Sequence, residues 1–459
     1  MRRYLFRLLT ISALLPLNLW AQDTTRLTLE ECLNYAEKNQ VKIKNAILDQ
    51  QSSDARNREV TGLAYPKVSA KGGLNYAPLV AAFQVPDFIS GAIKNAVQSQ
   101  YLDPAFRDAP VGTLPLAFQP RWTTTGTLEA SQLLFDPSVM VALQARKALE
   151  ELAAKNVDLT VQDVKVAVTK AYYNILIAEK QQLLIVQNIA RLEQMEREMN
   201  EYYKAGFSEK IDVDRITVAL NNLRTQEIRI KQMIGLAYLS LKFQMGMPLE
   251  RPIALADALS ENGIDSDILV RELDFNARIE YQLLQIQNRL NAFDVKRYKM
   301  GWLPTLSLFG NYGYTLYNSD RLFMKGDEWQ RAAMIGTSLN IPLFDGLQRR
   351  NKLKQAQFTL QKTENDMQNL HMALRLEQEN ARISLKNNLL ALENQRHNMQ
   401  LAEEVYNTAR IKYNEGVGSS LEVMDAESSL REAQTNYFTA LYEAMTSRVD
   451  LQKALGQFK

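Results

Sequence analysis

Few residues in this chain could do chemistry, and they are scattered. There is one cysteine, Cys32, and there are two histidines, His371 and His397. A lone cysteine rules out a disulfide scaffold and a Cys-based zinc site. Cys32 falls inside a helical pattern and reads as a small buried residue. The histidines lie 26 residues apart on one stretch that reads as a long helix. They read as surface positions rather than ligands. The 15 methionines show none of the clustering expected of a copper or silver relay. There is no GxSxG, no Walker-type GxxxxGK[ST] and no HExxH. These patterns are not those of an enzyme, and they call for no cofactor and no metal. What remains are carboxylates placed just after glycines: Asp212 after Gly206, then Glu422 and Asp425 after Gly416. Two carboxylates in the first turns of a helix are favoured by its dipole. Repeated around a symmetry axis, the same two would build a negative ring that draws cations. The residues alone leave both readings open.

The elements that hold these residues are written twice. Leu133-Leu134-Phe135-Asp136 recurs as Pro342-Leu343-Phe344-Asp345, an offset of 209. Tyr203 to Phe207 recurs as Tyr413 to Val417, Ile211-Asp212-Val213 as Leu421-Glu422-Val423, and Gly246 as Gly456, each at 210. Tyr65-Pro66 pairs with Leu303-Pro304 at 238, so the first copy carries 29 extra residues, within roughly Ala77 to Arg121. The chain divides into a first repeat over 22–250, with a strand pair in 65–135, and a second over 251–459, with a strand pair in 303–344. Each copy reads helix, strand pair, very long helix, tight turn, helix. The first helix is expected over Thr28–Gly62, opened by Thr28 and Glu31 in a capping-box spacing. Its counterpart is expected over Leu273–Met300.

The strand segments show period 2. Leu306, Leu308, Gly310, Tyr312, Tyr314 and Leu316 alternate with mostly small or polar residues. The same holds for the runs through Val68–Tyr76, Trp122–Ala130 and Ala333–Ile341. Tyr76, Trp122, Tyr312, Tyr314 and Tyr317 gather toward one end, as an aromatic girdle would. Each run has about 10 residues, the length of a tilted membrane strand. Four strands cannot close a barrel, and open edges do not survive in lipid. Strands that span a membrane must here be shared among several chains.

From Asp136 to Gly206, and again from Gly346 to Gly416, the sequence reads as helix for close to 70 residues, roughly 100 Å. Leu385, Leu392, Met399, Tyr406 and Tyr413 fall seven apart, with Asn388, Gln395, Ala402 and Ala409 as companions. Ile175, Gln182, Ile189, Glu196 and Tyr203, with Ala178, Ile185, Leu192 and Met199, make the row of the first copy. The many small and polar seam positions suit the wall of a water-filled tube. A solid bundle or a dimeric coiled coil would use the same pattern.

Residues 1–21 show a basic start with Arg2, Arg3 and Arg7, an apolar run of about 12 residues, and Ala21 at its end, the pattern of a secretory signal peptide. Without those arginines the charge is 51 basic against 52 acidic residues, which argues against a nucleic-acid partner. Past residue 21 no apolar stretch reaches 18 residues, so an exported chain is either soluble or a β-barrel membrane protein.

Thr28-Leu29-Glu30-Glu31-Cys32-Leu33, the Tyr-Pro and Leu-Pro before the first strands, the Leu-Phe-Asp after the second, and Tyr-x-x-Gly with Val-Met-Asp-Ala at the turns follow one another in fixed order. In this order and spacing the chain resembles the TolC family of outer-membrane efflux proteins, from about Leu27 to Gly456. The resemblance implies a mainly α fold with membrane β. It would be a homotrimer whose 12-stranded outer-membrane β-barrel is continuous with a long periplasmic α-helical barrel. A mixed α/β belt would take in parts of 247–280 and the C-terminal tail. The implied role is an exit duct of a tripartite efflux or secretion system, passively conducting cargo from a periplasmic adaptor and an inner-membrane pump to the exterior. Outer-membrane lipid is then a partner, and the cell outer membrane and periplasm are its location. The other class that fits the residues is a structural or adhesive coiled-coil protein of the periplasm. The resemblance also implies a periplasmic aperture. Tyr413 falls at the family's latch tyrosine, Asp212 at the carboxylate of the neighbouring turn, and Glu422 and Asp425 at the carboxylates of the narrowest point. Gly418 falls where the family has an arginine, so that link is missing. Gly206 and Gly416 mark the helical tips expected to dock the adaptor. The proline-rich segment 77–121 is expected at the outer mouth, mostly irregular, with a short helix near 87–98; the partner loop, 318–331, is shorter.

Overall fold

A computed structural model describes residues 25–97, 101–110, 112–116, 120–259, 266–318 and 329–458. The signal-peptide segment and most of the loop between Asn318 and Arg331 lie outside the described residues. The chain splits into two compact units, one of 52–150 with 286–363, the other of the remaining residues.

In the first unit, β2 (Lys67–Tyr76), β5 (Trp122–Phe135), β7 (Thr305–Asn318) and β8 (Gln330–Asn340) form one antiparallel sheet in the order β2-β5-β7-β8. Two strands run to 14 residues, longer than the expected 10 or so. The register explains the alternation in the sequence. Ala70 faces Leu128, Leu128 faces Tyr312, and Tyr312 faces Ala333. Cross-strand partners share a face, so most apolar residues of the four strands line one side, with Leu133, Phe309 and Met334 on the other. Ser69, Glu129 and Asn311 line the other, where Lys71 and Glu129 pair at 2.6 Å. The expected aromatic cluster resolves into two pairs, Tyr76 tilted against Trp122 at 4.4 Å and Tyr312 edge-on to Tyr314 at 5.4 Å. Tyr317 joins neither pair. It opposes Thr123 and so lies on the polar face, because one odd residue in a period of two changes sides.

Where β8 gives way to the next helix, Asp345 accepts from Arg349 at 2.7 Å, and Arg349 also reaches the carbonyls of Gly301 and Pro342. This joint is what the Leu-Phe-Asp motif builds. The segment between β2 and β5 is more ordered than its prolines suggest. β3 (Phe83–Pro86) pairs with β4 (Thr113–Leu116), α3 spans Phe88–Ala96 and α4 spans Pro104–Asp108.

The second unit is mainly helical and holds most of the long helices. These are α5 (Pro137–Lys204) and α8 (Gln348–Asn414), of 68 and 67 residues; the return helices α6 (Lys210–Met245) and α9 (Ser420–Ala454) have 36 and 35. Among the described residues no helix is long and apolar enough to cross a membrane. Along α8, Leu385, Leu392 and Tyr406 are buried as the heptad requires. On α5 the seam moves after Ile175 to the companion row Ala178, Ile185, Leu192 and Met199, and Tyr203 is exposed.

The first helix is not continuous. Thr28 and Glu31 do form a capping box on α1 (Leu29–Asn39), but Gln40 turns extended and α2 (Val41–Gly62) begins anew. The buried Gln40 amide donates to the carbonyls of Phe243 and Gln244 at the end of α6. Its backbone rests on Gly246, where a Cβ would come within 2.8 Å of the Gln40 Cα. The later counterpart, α7 (Ile279–Met300), starts after a 3-10 turn at Phe275–Ala277 rather than at Leu273. There the buried Arg278 donates to the Ala454 carbonyl at 2.7 Å, and Gly456 lies against Ala277. The region expected to belong to a belt contains a parallel pair, β1 (Thr25–Leu27) with β6 (Ile253–Leu255), and the tail residue Gln457 accepts from Arg271. Cys32 is fully buried there, and burial, then Glu31 and Asp257, pushes its thiol up to about 12. His397 is exposed and His371 is half-buried. It packs 4.2 Å from the Phe275 ring and 4.8 Å from Tyr281.

Candidate aperture at the helical turns

The two turns that join long and return helices are built alike. Gly206 and Gly416 take positive φ, 80° and 73°, as a left-handed helix cap demands. Gly416 donates to Tyr413 O and Val417 to Lys412 O, both at 3.0 Å, a Schellman motif. Gly206 and Phe207 repeat it on Tyr203 and Tyr202. The second turn adds a Ser419 cap whose Oγ accepts from Glu422 N.

Asp212, in the first turn of α6, accepts a hydrogen bond from Ser420 Oγ of α9 at 2.8 Å and has Arg215 at 3.7 Å. This contact ties the two return helices together. Tyr413 does not bond to Asp212. Its hydroxyl points to Met199 Sδ at 3.6 Å and its ring meets Tyr202 edge-on. Burial, then Tyr202, Asp212 and Glu198, hold its phenol above the ordinary range. Glu422 and Asp425 lie one turn apart on α9 and both are exposed; Asp425 lines a groove of about 730 Å³ between α6 and α9, along with Asp214, Arg215 and Arg431. Gly418 packs so closely that a Cβ would lie 3.0 Å from Tyr413 N. Any side chain there, an arginine included, requires the turn to shift.

Two participants escape a reading of the sequence. Ser420 is one of a pair of serines, and nothing in the chain order shows which one caps and which one reaches Asp212. Glu427 is 2% exposed, in the apolar stripe of Val423, Ala426 and Leu430. Its position in that stripe is the signal that could have found it. Burial holds its carboxyl above the usual range, against Arg431 and Arg191, and its Oε1 has no hydrogen-bond partner. Among the described residues no cluster of His, Cys, Asp or Glu could hold a metal ion.

The chain combines an antiparallel sheet that has one mainly apolar face with two pairs of long and return helices. That fold is similar to the folds of solved outer-membrane channels. It overlays VceC of Vibrio cholerae with a TM-score of 0.69 over 93% of this chain and 96% of that one, at 16% identity. It overlays the Campylobacter jejuni CmeC outer membrane channel with a TM-score of 0.71 over 94% and 85%, at 18% identity. Residues 277–457 match the family described as outer membrane efflux protein. The outer membrane protein TolC of Vibrio cholerae is 21% identical over 330 residues, 71% of this chain and 75% of that protein. The probable efflux pump outer membrane protein TtgC of Pseudomonas putida is 25% identical over 264 residues, 55% of this chain and only 52% of its own length. The chain is thus similar to the outer-membrane efflux proteins of the TolC type, as its motifs implied.

Proposed function

We propose that the protein is the outer-membrane exit duct of a tripartite efflux or secretion system, set in the outer membrane and reaching into the periplasm. The observation that carries this reading is the four-stranded sheet with one apolar and one polar face, whose outer strands β2 and β8 each have a single partner. Unpaired edges cannot stand in lipid. Three chains, each contributing four strands, close one 12-stranded barrel with apolar residues toward lipid and polar residues toward water. In this reading the two helical repeats of each chain extend the barrel as a tunnel. The paired joints at Gln40 with Gly246 and at Arg278 with Gly456 support the repeat. The Gly206 and Gly416 turns form the inner tips, where the adaptor of an inner-membrane pump would dock. Asp212, Tyr413, Glu422 and Asp425 surround the aperture, and the Asp212–Ser420 bond takes the place of the arginine absent at Gly418. The duct performs no covalent step; it is a passage. A purely structural coiled-coil protein would have no use for a two-faced sheet.

The test is single-channel conductance of the purified protein in a planar bilayer, paired with its mass in detergent. A conducting trimer is expected. A non-conducting, detergent-independent dimer would return the chain to the coiled-coil class.

A further inference from the structure

The insertion between β2 and β5 carries an amphipathic helix turned inside out. On α3 the capping Asp87 and Lys94 are turned to their own subdomain. Asp87 caps the helix by accepting from Ser90 N at 2.9 Å, and Lys94 is bonded to the Ala109 carbonyl while its ammonium lies 5.4 Å from the Phe106 ring. Among the described residues nothing covers the opposite arc of Phe88, Ile89, Ala92, Ile93 and Ala96, which also carries the exposed Asn95. Phe88 is 60% exposed, Ile89 53% and Ile93 41%. A folded helix that turns its capping aspartate and its lysine inward and leaves its apolar side to solvent marks an interaction surface.

We propose that this face of α3 packs against the same face of other copies of the chain, so that three α3 helices meet across the outer mouth. The inference rests on the trimeric reading above and deepens it. Two observations select a second copy over lipid. The first is continuity. Ala77 N donates to Arg121 O at 2.7 Å, which extends the β2–β5 ladder directly into the insertion. Since β2 is an edge strand, the insertion grows from the strand that must pair with a neighbouring chain. Closing the barrel therefore brings three insertions to one rim. The second is charge. Residues 77–121 hold three acidic residues, Asp87, Asp103 and Asp108, and three basic ones, Lys94, Arg107 and Arg121. Helices that lie in a membrane surface carry a cationic polar face. Here the one cation of α3, Lys94, is already committed within the subdomain. The apolar arcs, related by the symmetry axis, are chemically alike and satisfy one another.

The test is disulfide formation on the intact protein. Ile93→Cys is introduced with Cys32 left in place, since that thiol is fully buried. Arg107→Cys, off the apolar arc, is the control. The detergent-solubilised protein is oxidised, denatured and run on a gel, and its mass before denaturation is measured on the same sample. Covalent dimers of the Ile93→Cys variant are expected, with roughly two of every three chains joined in a three-fold arrangement, and few from the Arg107→Cys control. A trimeric mass with the Ile93→Cys chains unjoined, but labelled by a lipid-borne maleimide in vesicles, would assign the face to the membrane and overturn the proposal. Equal joining in both variants would overturn it as well. A mass that is not trimeric would bring down the duct reading along with it, and the mass alone tells those two failures apart.

Discussion

Replacing Ser420 by alanine removes the hydrogen bond that ties the first turn of α9 to Asp212 in the first turn of α6. The bond is 2.8 Å long, its acceptor is a carboxylate, and the Asp212 side chain is 21% exposed. A hydrogen bond of this kind contributes about 1 kcal/mol net, less than a fully buried charged one. In a trimer the loss occurs three times. If the bonds act independently, the closed state loses about 3 kcal/mol, and the ratio of open to closed apertures rises about 150-fold. Ser420→Thr keeps a hydroxyl and is expected to stay close to the unmodified protein. The readout is open probability in planar bilayers, on preparations whose trimeric mass has been checked. If Ser420→Ala conducts within about twofold of the parent, the Asp212 contact is not part of the closed state and the latch must be sought elsewhere.

Three further outcomes follow from the same geometry. The aperture is expected to prefer cations, and Glu422→Gln with Asp425→Asn should move the reversal potential in a salt gradient toward zero; anion preference in the parent would count against the carboxylate ring. Glu427 is a buried carboxyl held above its ordinary range, so its charged form penalises the folded state. That stability is whole below the unfolded value of about 4.3 and declines as pH rises toward the folded value. Glu427→Gln should therefore raise the unfolding temperature at pH 7 and lose that advantage near pH 4, and a larger advantage in acid would contradict the sign. Gly206→Ala faces no neighbour within 4 Å and should cost only the left-handed backbone term, about 1 kcal/mol, whereas Gly246→Ala also meets Asn39 O and Gln40 Cα at 2.8 Å. Thermal unfolding should rank Gly246→Ala as clearly the more damaging of the two.

The parts of this architecture legible in the sequence are those governed by local rules. Period-2 alternation places the apolar faces of all four strands, and glycine places both left-handed turns, because each depends on residues close in the chain. The break at Gln40 is not legible. No proline or glycine marks it; Gly246, two hundred residues away, makes room for it, and the Gln40 amide bonds to carbonyls at the end of the same helix. Arg278 hides for the same reason, since its partners Glu280, Glu377 and Ala454 come together only in the fold. At the proposed aperture, the positions of Asp212 and Tyr413 can be read from repeat spacing. Their partners cannot, because a hydroxyl on one helix and a thioether on another carry no spacing signal. Tyr317 belongs to the polar face by strict alternation, and nearness in sequence to other aromatics is a weaker guide than that parity.

The sheet that ends in two unsatisfied strands has a genetic consequence. In the trimer proposed above no chain would complete the barrel alone, so each working pore would be only as good as its worst subunit. A variant that still offers β2 and β8 for pairing but carries a blocked tip would enter assemblies beside normal chains. With equal expression, only about one assembly in eight would be free of it. Such an allele would behave as dominant, while one that destroys the strands would be excluded from assembly and behave as recessive.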